Sequence, residues 1–382
     1  MSGALWFVVE SGTDVRLVEG LARRARVSVL ARRIPGGVEI SQAPSTAVPT
    51  IIGPGSRAAF AGLVWRALRR LPPTDRVLVQ GYGPAAFAAN LAARTSRTPT
   101  FMLVCSPVER YYACRRTPGG AGRSRFADKP FRRRELLALN AVARLNARLG
   151  RHYIVLSEHL GQVVRSHGGA ARVSVVPVYG VDLNVFQPAQ ESREVLRRER
   201  RLPLSGRLVF FSSRVAPEKD AETMLAATRR LLDAGRDLWL LHRSGGYQTF
   251  LAAARQAGVE ARVVASDAAH PHQGLAQDYQ ASDLCVQASR EEGLGFSPLE
   301  ALACEVPVVA SAVGGLRETV VDGATGWTYP PGDAAALARA MAEALDHPEE
   351  AGARARNGRL MVRERYETGR VFSRLMDVLE AG

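Results

Sequence analysis

Lysine is almost missing from this chain of 382 residues: Lys129 and Lys219 are the only two, and every other cation is arginine. Cysteine is also sparse. Cys105, Cys114, Cys285 and Cys304 fit no metal-ligand spacing, and Cys285 and Cys304 sit in apolar runs that read as buried, so a reduced, cytoplasmic compartment is expected. No apolar run reaches the length of a membrane span, so any meeting with a membrane would be at its surface. MSGALWFVVE carries no basic leader and is too short an apolar run for a signal peptide. His242, His270 and His272 have no metal spacing, and His159 reads as a capping or surface residue. There is no internal repeat, and no basic stripe with interleaved aromatics of the kind a nucleic-acid reader carries.

What is present in excess is positive charge, +14 at neutral pH. Such a balance suits an acidic partner: nucleic acid, anionic lipid or a phosphorylated substrate. A GC-rich genome accounts for arginine over lysine, but not for the net surplus. It also makes Lys219 conspicuous, as a lysine in a chain that otherwise uses arginine.

The length predicts two domains of a little under two hundred residues each. Short apolar strands alternate with helical periodicity from Leu5 onward, with short connections, the pattern of a doubly wound parallel sheet. A polar linker follows the strand RVSVLA. Residues 106–134, rich in Gly, Pro and Arg, read as a loop, either a lid or docking surface for an acidic acceptor or lipid phosphate, or a solvated loop without a role. The domain change is expected near Gly180 to Pro188, and a second strand and helix alternation follows.

Two stretches carry chemistry. From Ser289 to Asp333 the chain reads as an acidic pair, a glycine-hinged loop, a short helix, a buried strand and a Gly-Gly turn. Ser297-Pro298-Leu299-Glu300 reads as a helix start, with Ser297 as cap and Glu300 at the capping-box position. The amides of Gly293, Leu294, Gly295 and Phe296 would then favour an anion, while Glu292 and Glu300 could hold sugar hydroxyls. The bland alternative makes Glu300 only a cap, and Glu291 and Glu292 a solvated pair. Upstream, Arg214 and Lys219 bracket the loop after the strand RLVFFSSR. Both cations could reach one point beyond the strand end, as a pyrophosphate clamp without a metal would need, although an arginine and a lysine in a loop usually face solvent.

Taken together, SREEGLGFSPLE and FSSRVAPEKD resemble the retaining glycosyltransferases of the GT-B fold, family 4, the glycogen-synthase-like glycosyl transferases group 1. The resemblance implies an α/β architecture of two Rossmann-like domains facing across a cleft. Residues 1–182 would bind the acceptor, residues 183–362 the nucleotide sugar, and a C-terminal helix at about 363–382 would pack back onto the first domain. Arg214, Lys219 and Glu292 would be catalytic, the cations on the donor diphosphate and Glu292 on the sugar. Glu300 would hold the ribose, Val264, Ala265 and Ser266 the base, and Gly314 and Gly315 would turn beside the phosphates. Gly12 stands alone where the family places a Gly-Gly loop. Where the family commonly has a histidine, this chain reads Cys105-Ser106-Pro107, leaving Ser106, Glu109, Arg110 and Tyr111 as acceptor-side candidates.

The implied reaction moves a hexosyl unit from a UDP- or GDP-sugar to a hydroxyl acceptor (a sugar, a lipid-linked sugar or a small molecule), in polysaccharide, glycolipid or natural-product glycoside synthesis. The chain has no Asp-x-Asp triplet, so no metal and no cofactor are expected. The implied location is the cytoplasm or, peripherally, the inner face of an anionic membrane. The alternatives are a nucleotide-sugar epimerase of the same fold, a binder without catalysis, and a basic nucleic-acid-binding protein. The absence of any reader motif disfavours the last.

Overall fold

Apolar runs of four to six residues, each closed by a polar turn, build the first sheet. The computed structural model describes residues 3–34, 48–81, 83–116, 130–168, 171–266 and 273–382. In chain order the first part comprises β1 (Leu5–Val9), α1 (Val15–Ala22), β2 (Val27–Arg32), β3 (Thr50–Gly53), α2 (Arg57–Leu68), β4 (Arg76–Gln80), α3 (Pro84–Ser96), β5 (Thr100–Val104), α4 (Val108–Ala113), α5 (Arg133–Leu149), β6 (His152–Val155), α6 (Glu158–Ser166) and β7 (Arg172–Val175). The strands are all parallel, in the order β3-β2-β1-β4-β5-β6-β7. Central strands such as β4 and β5 are buried almost throughout, as strands covered by helices on both faces must be. Asp14 caps α1 and is gripped by Arg16, whose Nη2 lies 2.8 Å from Oδ2; burial raises the Asp14 pKa, but Arg16 outweighs it and the net shift is downward.

The second part runs through α7 (Arg193–Glu199), β8 (Arg207–Phe210), α8 (Ala221–Asp233), β9 (Leu238–Arg243), α9 (Tyr247–Gln256), β10 (Val263–Ser266), α10 (Gln273–Ala281), β11 (Leu284–Gln287), α11 (Phe296–Ala303), β12 (Val308–Ser311), α12 (Leu316–Thr319), β13 (Trp327–Tyr329), α13 (Ala334–Asp346) and α14 (Pro348–Arg365). Its sheet is again parallel, in the order β10-β9-β8-β11-β12-β13. The last helix, α15 (Thr368–Glu380), belongs to the first unit. By internal contacts one unit is Met1–Glu109, Arg132–Gly180 and Thr368–Gly382, and the other is Arg110–Phe131 and Val181–Glu367.

Helix α15 is tied to the first unit by its apolar face. Val371, Phe372, Leu375 and Leu379 are buried, and Phe372 lies so close to α1 that any side chain at Gly20 would overlap its ring. Arg76 donates to the Leu379 carbonyl at 3.0 Å, and Arg374 to that of Val175 at 3.1 Å.

Two expectations change. The segment after β2 reads as a linker, yet it ends in β3, an edge strand whose Ile51 and Ile52 stay half exposed and so lack an apolar alternation. The stretch 106–134 reads as irregular, yet it opens with helix α4. Residues 117–129 of that stretch, with Lys129, lie outside the described residues, as do His270 and His272 and most of the linker.

The second core encloses a histidine. His242, on β9, stacks on Phe250 with ring centroids 4.0 Å apart, and its Nδ1 donates to the Phe211 carbonyl at 2.9 Å. Burial pushes its pKa down to about 4, against the opposing pull of the Phe211 carbonyl. In an unfolded chain the ring titrates near ~6.5, so as pH falls the unfolded state takes up the proton first. This part of the stability is therefore present above the unfolded value and is lost between about pH 6.5 and about 4, with a full size of about 3 kcal/mol. Urea midpoints measured through that window are expected to fall less steeply for His242→Phe than for the parent chain; parallel slopes would refute the assignment.

Candidate functional site

In the second unit the strand order reverses between β8 and β11, which are hydrogen-bonded neighbours. Open parallel sheets place ligands beyond the carboxyl ends of the strands at such a reversal. The loop after β8 carries Arg214 and Lys219, and the loop after β11 carries Glu291 to Gly295, so two segments some seventy residues apart come together by topology alone.

Their meeting point is Glu292. The Lys219 Nζ lies 2.5 Å from Oε2, and both side chains are largely buried. The same oxygen accepts from Ser289 Oγ at 2.9 Å and from Gln287 Nε2 at 3.0 Å. Ser213 Oγ donates to Gln287 Oε1 at 3.0 Å, which fixes the amide orientation. Burying a carboxylate is costly unless it is paired and hydrogen-bonded, and here one oxygen has a cation and two neutral donors. The other oxygen, Oε1, accepts from the Tyr111 hydroxyl at 3.4 Å, and that hydroxyl in turn accepts from the Gly293 amide at 3.2 Å. The loops are stitched a second time: Arg290 Nε lies 2.9 Å from Asp220, the N-cap of α8, and the Arg290 amide donates to the Glu218 carbonyl at 2.8 Å.

Glu300 lies in a separate network behind the loop. It is buried and accepts from the Tyr279 hydroxyl at 3.2 Å; that hydroxyl also meets Ser212 Oγ at 2.7 Å, and Ser212 donates to Ser297 Oγ at 3.0 Å. Burial, and then the Glu300 carboxylate, hold the Tyr279 phenol well above its ordinary pKa. Ser297 is therefore not the cap of α11. The N-cap is Gly295, in the left-handed region at φ 96°, with no side-chain cap hydrogen bond. Nor is Glu300 a capping-box residue, because it faces Tyr279.

Gly314 and Gly315 serve the loop. A Cβ at Gly314 would overlap the Glu292 carbonyl oxygen, and one at Gly315 would overlap that of Gly293 and lie 2.6 Å from Leu294 Cα. The Gly315 amide donates to the Glu292 carbonyl at 3.0 Å. The turn thus supports the backbone of Glu292 to Leu294, where the sequence placed it beside phosphates.

Of the other expected residues, Arg214 is 72% exposed and lies 3.5 Å from Glu218, so it is not brought onto Glu292. Val264 and Ser266 lie on β10 at the sheet edge, and Ser266 Oγ accepts from Arg243 Nη1 at 2.6 Å. Arg110 approaches Glu291 at 3.7 Å, so Arg110 and Tyr111 both meet the acidic loop. In the first unit Gly12 is exposed between β1 and α1, and Ser106 is half-buried after β5. Glu109 is buried against His167 Nε2 at 3.2 Å. Cys105 beside it is a weak acid, burial and then Asp14 pushing the thiol up to about 12.

Sequence reasoning missed Gln287, Ser289, Arg290, Asp220 and Tyr279. The signal for the first two was a pair of polar residues, alternate in sequence, closing the apolar run DLCV; nothing local marked the others. Among the described residues, no group of three or more His, Cys, Asp or Glu is placed to hold a metal, and no helix is long and apolar enough to cross a membrane.

Residues 192–361 match the family model described as Glycosyl transferases group 1. D-inositol 3-phosphate glycosyltransferase of Thermobispora bispora is 34% identical over 198 residues, 49% of this chain and 45% of that protein. The Xylanimonas cellulosilytica protein of the same name is 36% identical over 181 residues, 44% and 42% of the two chains. The chain thus spans under half the length of these curated relatives. Among solved structures, Anabaena HepE in complex with UDP and glucose aligns over 100% of both chains at TM-score 0.79 and 18% identity. Sucrose-phosphate synthase from Thermosynechococcus elongatus aligns over 99% and 98% at TM-score 0.77 and 21% identity. The second unit thus carries a glycosyl transferases group 1 domain, and the chain as a whole has the GT-B fold of two parallel α/β sheets.

Proposed function

We propose that this protein is a retaining glycosyltransferase that moves a hexosyl unit from a UDP- or GDP-sugar to a hydroxyl acceptor without a required metal. The observation that carries the proposal is the contact of Lys219 with Glu292 beyond the β8–β11 reversal. In retaining transfer a nucleoside diphosphate leaves while positive charge grows on the sugar ring. Lys219 has three N–H donors and spends one on Glu292, so the others can take oxygens of the departing diphosphate. The start of α11 points the positive end of its helix dipole the same way, and Arg214, exposed and among the described residues paired only with Glu218, can swing onto the diphosphate from solvent. Glu292 offers Oε1 to sugar hydroxyls, and its Oε2 stays tied to the protein.

In the same reading Glu300 binds the ribose, and Val264 and Ser266 flank the base. Gly12, Ser106, Glu109, Arg110 and Tyr111 form the acceptor side. The donor class accords with the UDP and glucose bound to HepE. The acceptor is a sugar, a lipid-linked sugar or a small molecule, and the enzyme works in the cytoplasm or at the inner face of an anionic membrane.

With UDP-glucose, GDP-glucose and related donors, release of free nucleoside diphosphate that depends on an added acceptor is expected. An epimerase or a pure binder would release none. Glu292→Gln is expected to lower kcat/KM by a factor of about 100 to 1,000, and a variant with full turnover would refute the role of Glu292. Lys219→Ala is expected to lose turnover similarly, and also to lose about 3 kcal/mol of stability, because it strands a buried carboxylate. EDTA should leave the rate unchanged; a collapse would remove the metal-free part of the proposal. Gly315→Ala should cost about 1–3 kcal/mol in urea unfolding, by pushing the Glu292 loop aside.

A further inference from the structure

A second cationic site lies in the first unit, at the opposite edge of its sheet from the loops after β1, β4 and β5. β5 begins at Thr100, β6 at His152 and β7 at Arg172, and a cavity of about 380 Å³ opens against these amino ends. Its walls carry Arg94, Arg97, Arg151 and Arg172, with Thr98 and His152 between them and Gly382 with its carboxylate at the margin. The arginines come from three places: the last turn and C-cap of α3, the turn between α5 and β6, and the first residue of β7. All four side chains are exposed, and among the described residues none of the four guanidinium groups pairs with a carboxylate. The floor is ordered: His152 is buried, its Nε2 meets Ser174 Oγ at 2.8 Å, and its ring packs on Phe101 with centroids 5.0 Å apart. Burial, and then Arg172, hold the His152 pKa below its ordinary value.

Helix dipoles account for part of this clustering. α3 ends at Ser96 and α5 at Leu149, and each C-terminus carries about half a negative charge, so arginines there are favoured. Two such ends supply about one negative charge and the carboxylate of Gly382 a second, against four cations, leaving roughly two uncompensated. Like charges brought to one concavity without a counterion repel each other, and a bound polyanion removes that cost. Arg97 also holds a left-handed conformation, φ 58°, where glycine would be unstrained. Guanidinium groups fit phosphate oxygens in a bidentate fork, and the volume suits a ligand of sugar-phosphate size.

We infer that this cavity is a binding site for a phosphate-bearing molecule, a phosphomonoester or diphosphate borne by a soluble metabolite or by a lipid headgroup, separate from the Lys219–Glu292 site. The test is calorimetric titration of the full chain with inorganic phosphate and with pyrophosphate, at ionic strength held constant with chloride. It is run on the parent and on a Lys219→Ala chain, so that the donor loops are accounted for. Arg151→Gln with Arg172→Gln should weaken binding at least tenfold in both backgrounds. Both side chains are exposed, so the melting temperature and UDP-glucose binding should not move. Affinity unchanged by the double substitution, or no binding beyond that of chloride, overturns the inference. Vesicles of phosphatidylglycerol, against phosphatidylcholine alone, then separate the sources. Attachment that the double substitution abolishes and phosphate competes assigns a headgroup; phosphate binding without such attachment assigns a soluble molecule.

Discussion

The ion pair between Lys219 and Glu292 is the contact on which the arrangement of the second unit's loops depends. Apart from a single 3-10 turn at Pro217–Lys219 the two loops are irregular, each strung between the end of a central strand and the start of a helix. Joining them removes two charges from water, which costs several kcal/mol per ion before the attraction is counted. The neighbours offset this: Gln287 and Ser289 complete the shell of the buried oxygen, and Asp220 with Arg290 repeats the crossing one residue away. The glycine turn beneath then admits the loop backbone at a distance no side chain would allow. A carboxylate held from four directions keeps one orientation, which is what electrostatic preorganisation requires.

Arginines around the acidic loop and at the amino edge of the first sheet stand in different surroundings. Around the acidic loop the cations meet anions one for one: Arg110 with Glu291, Arg214 with Glu218, Arg290 with Asp220. The chain's charge surplus therefore does not reside there. At the amino edge of the first sheet the arginines face one another instead. Net charge read from composition blends these two situations, and only the distribution tells a neutralised cluster from an open one.

The strand and helix alternation, and the joining of the two motifs, were legible in the sequence because both rest on local spacing. Apolar periodicity marks a strand buried on both faces, and a loop that follows such a strand must lie at its carboxyl end. β3 escaped because an edge strand needs no buried face, and α4 because a helix of six residues has too few turns to show a period. The Ser297 cap failed for a different reason. A serine before a proline is a reasonable cap, but the backbone had already turned at Gly295, and the hydroxyl found Ser212, a partner 85 residues away in sequence. Tyr279 and Arg243 were invisible for the same cause, since each acts through residues remote in sequence.

The return of α15 to the first sheet has a consequence for the order of assembly during synthesis. The first unit is interrupted in sequence by nearly the whole of the second, and the apolar face of α15, Phe372 and Leu375 among it, leaves the ribosome only after the second unit. Until then the groove beside Gly20 and Arg24 stands open, while the second unit already has all of its strands. The half of the molecule begun first is thus completed only after the second unit has been made, and α15 works as a latch on the first sheet.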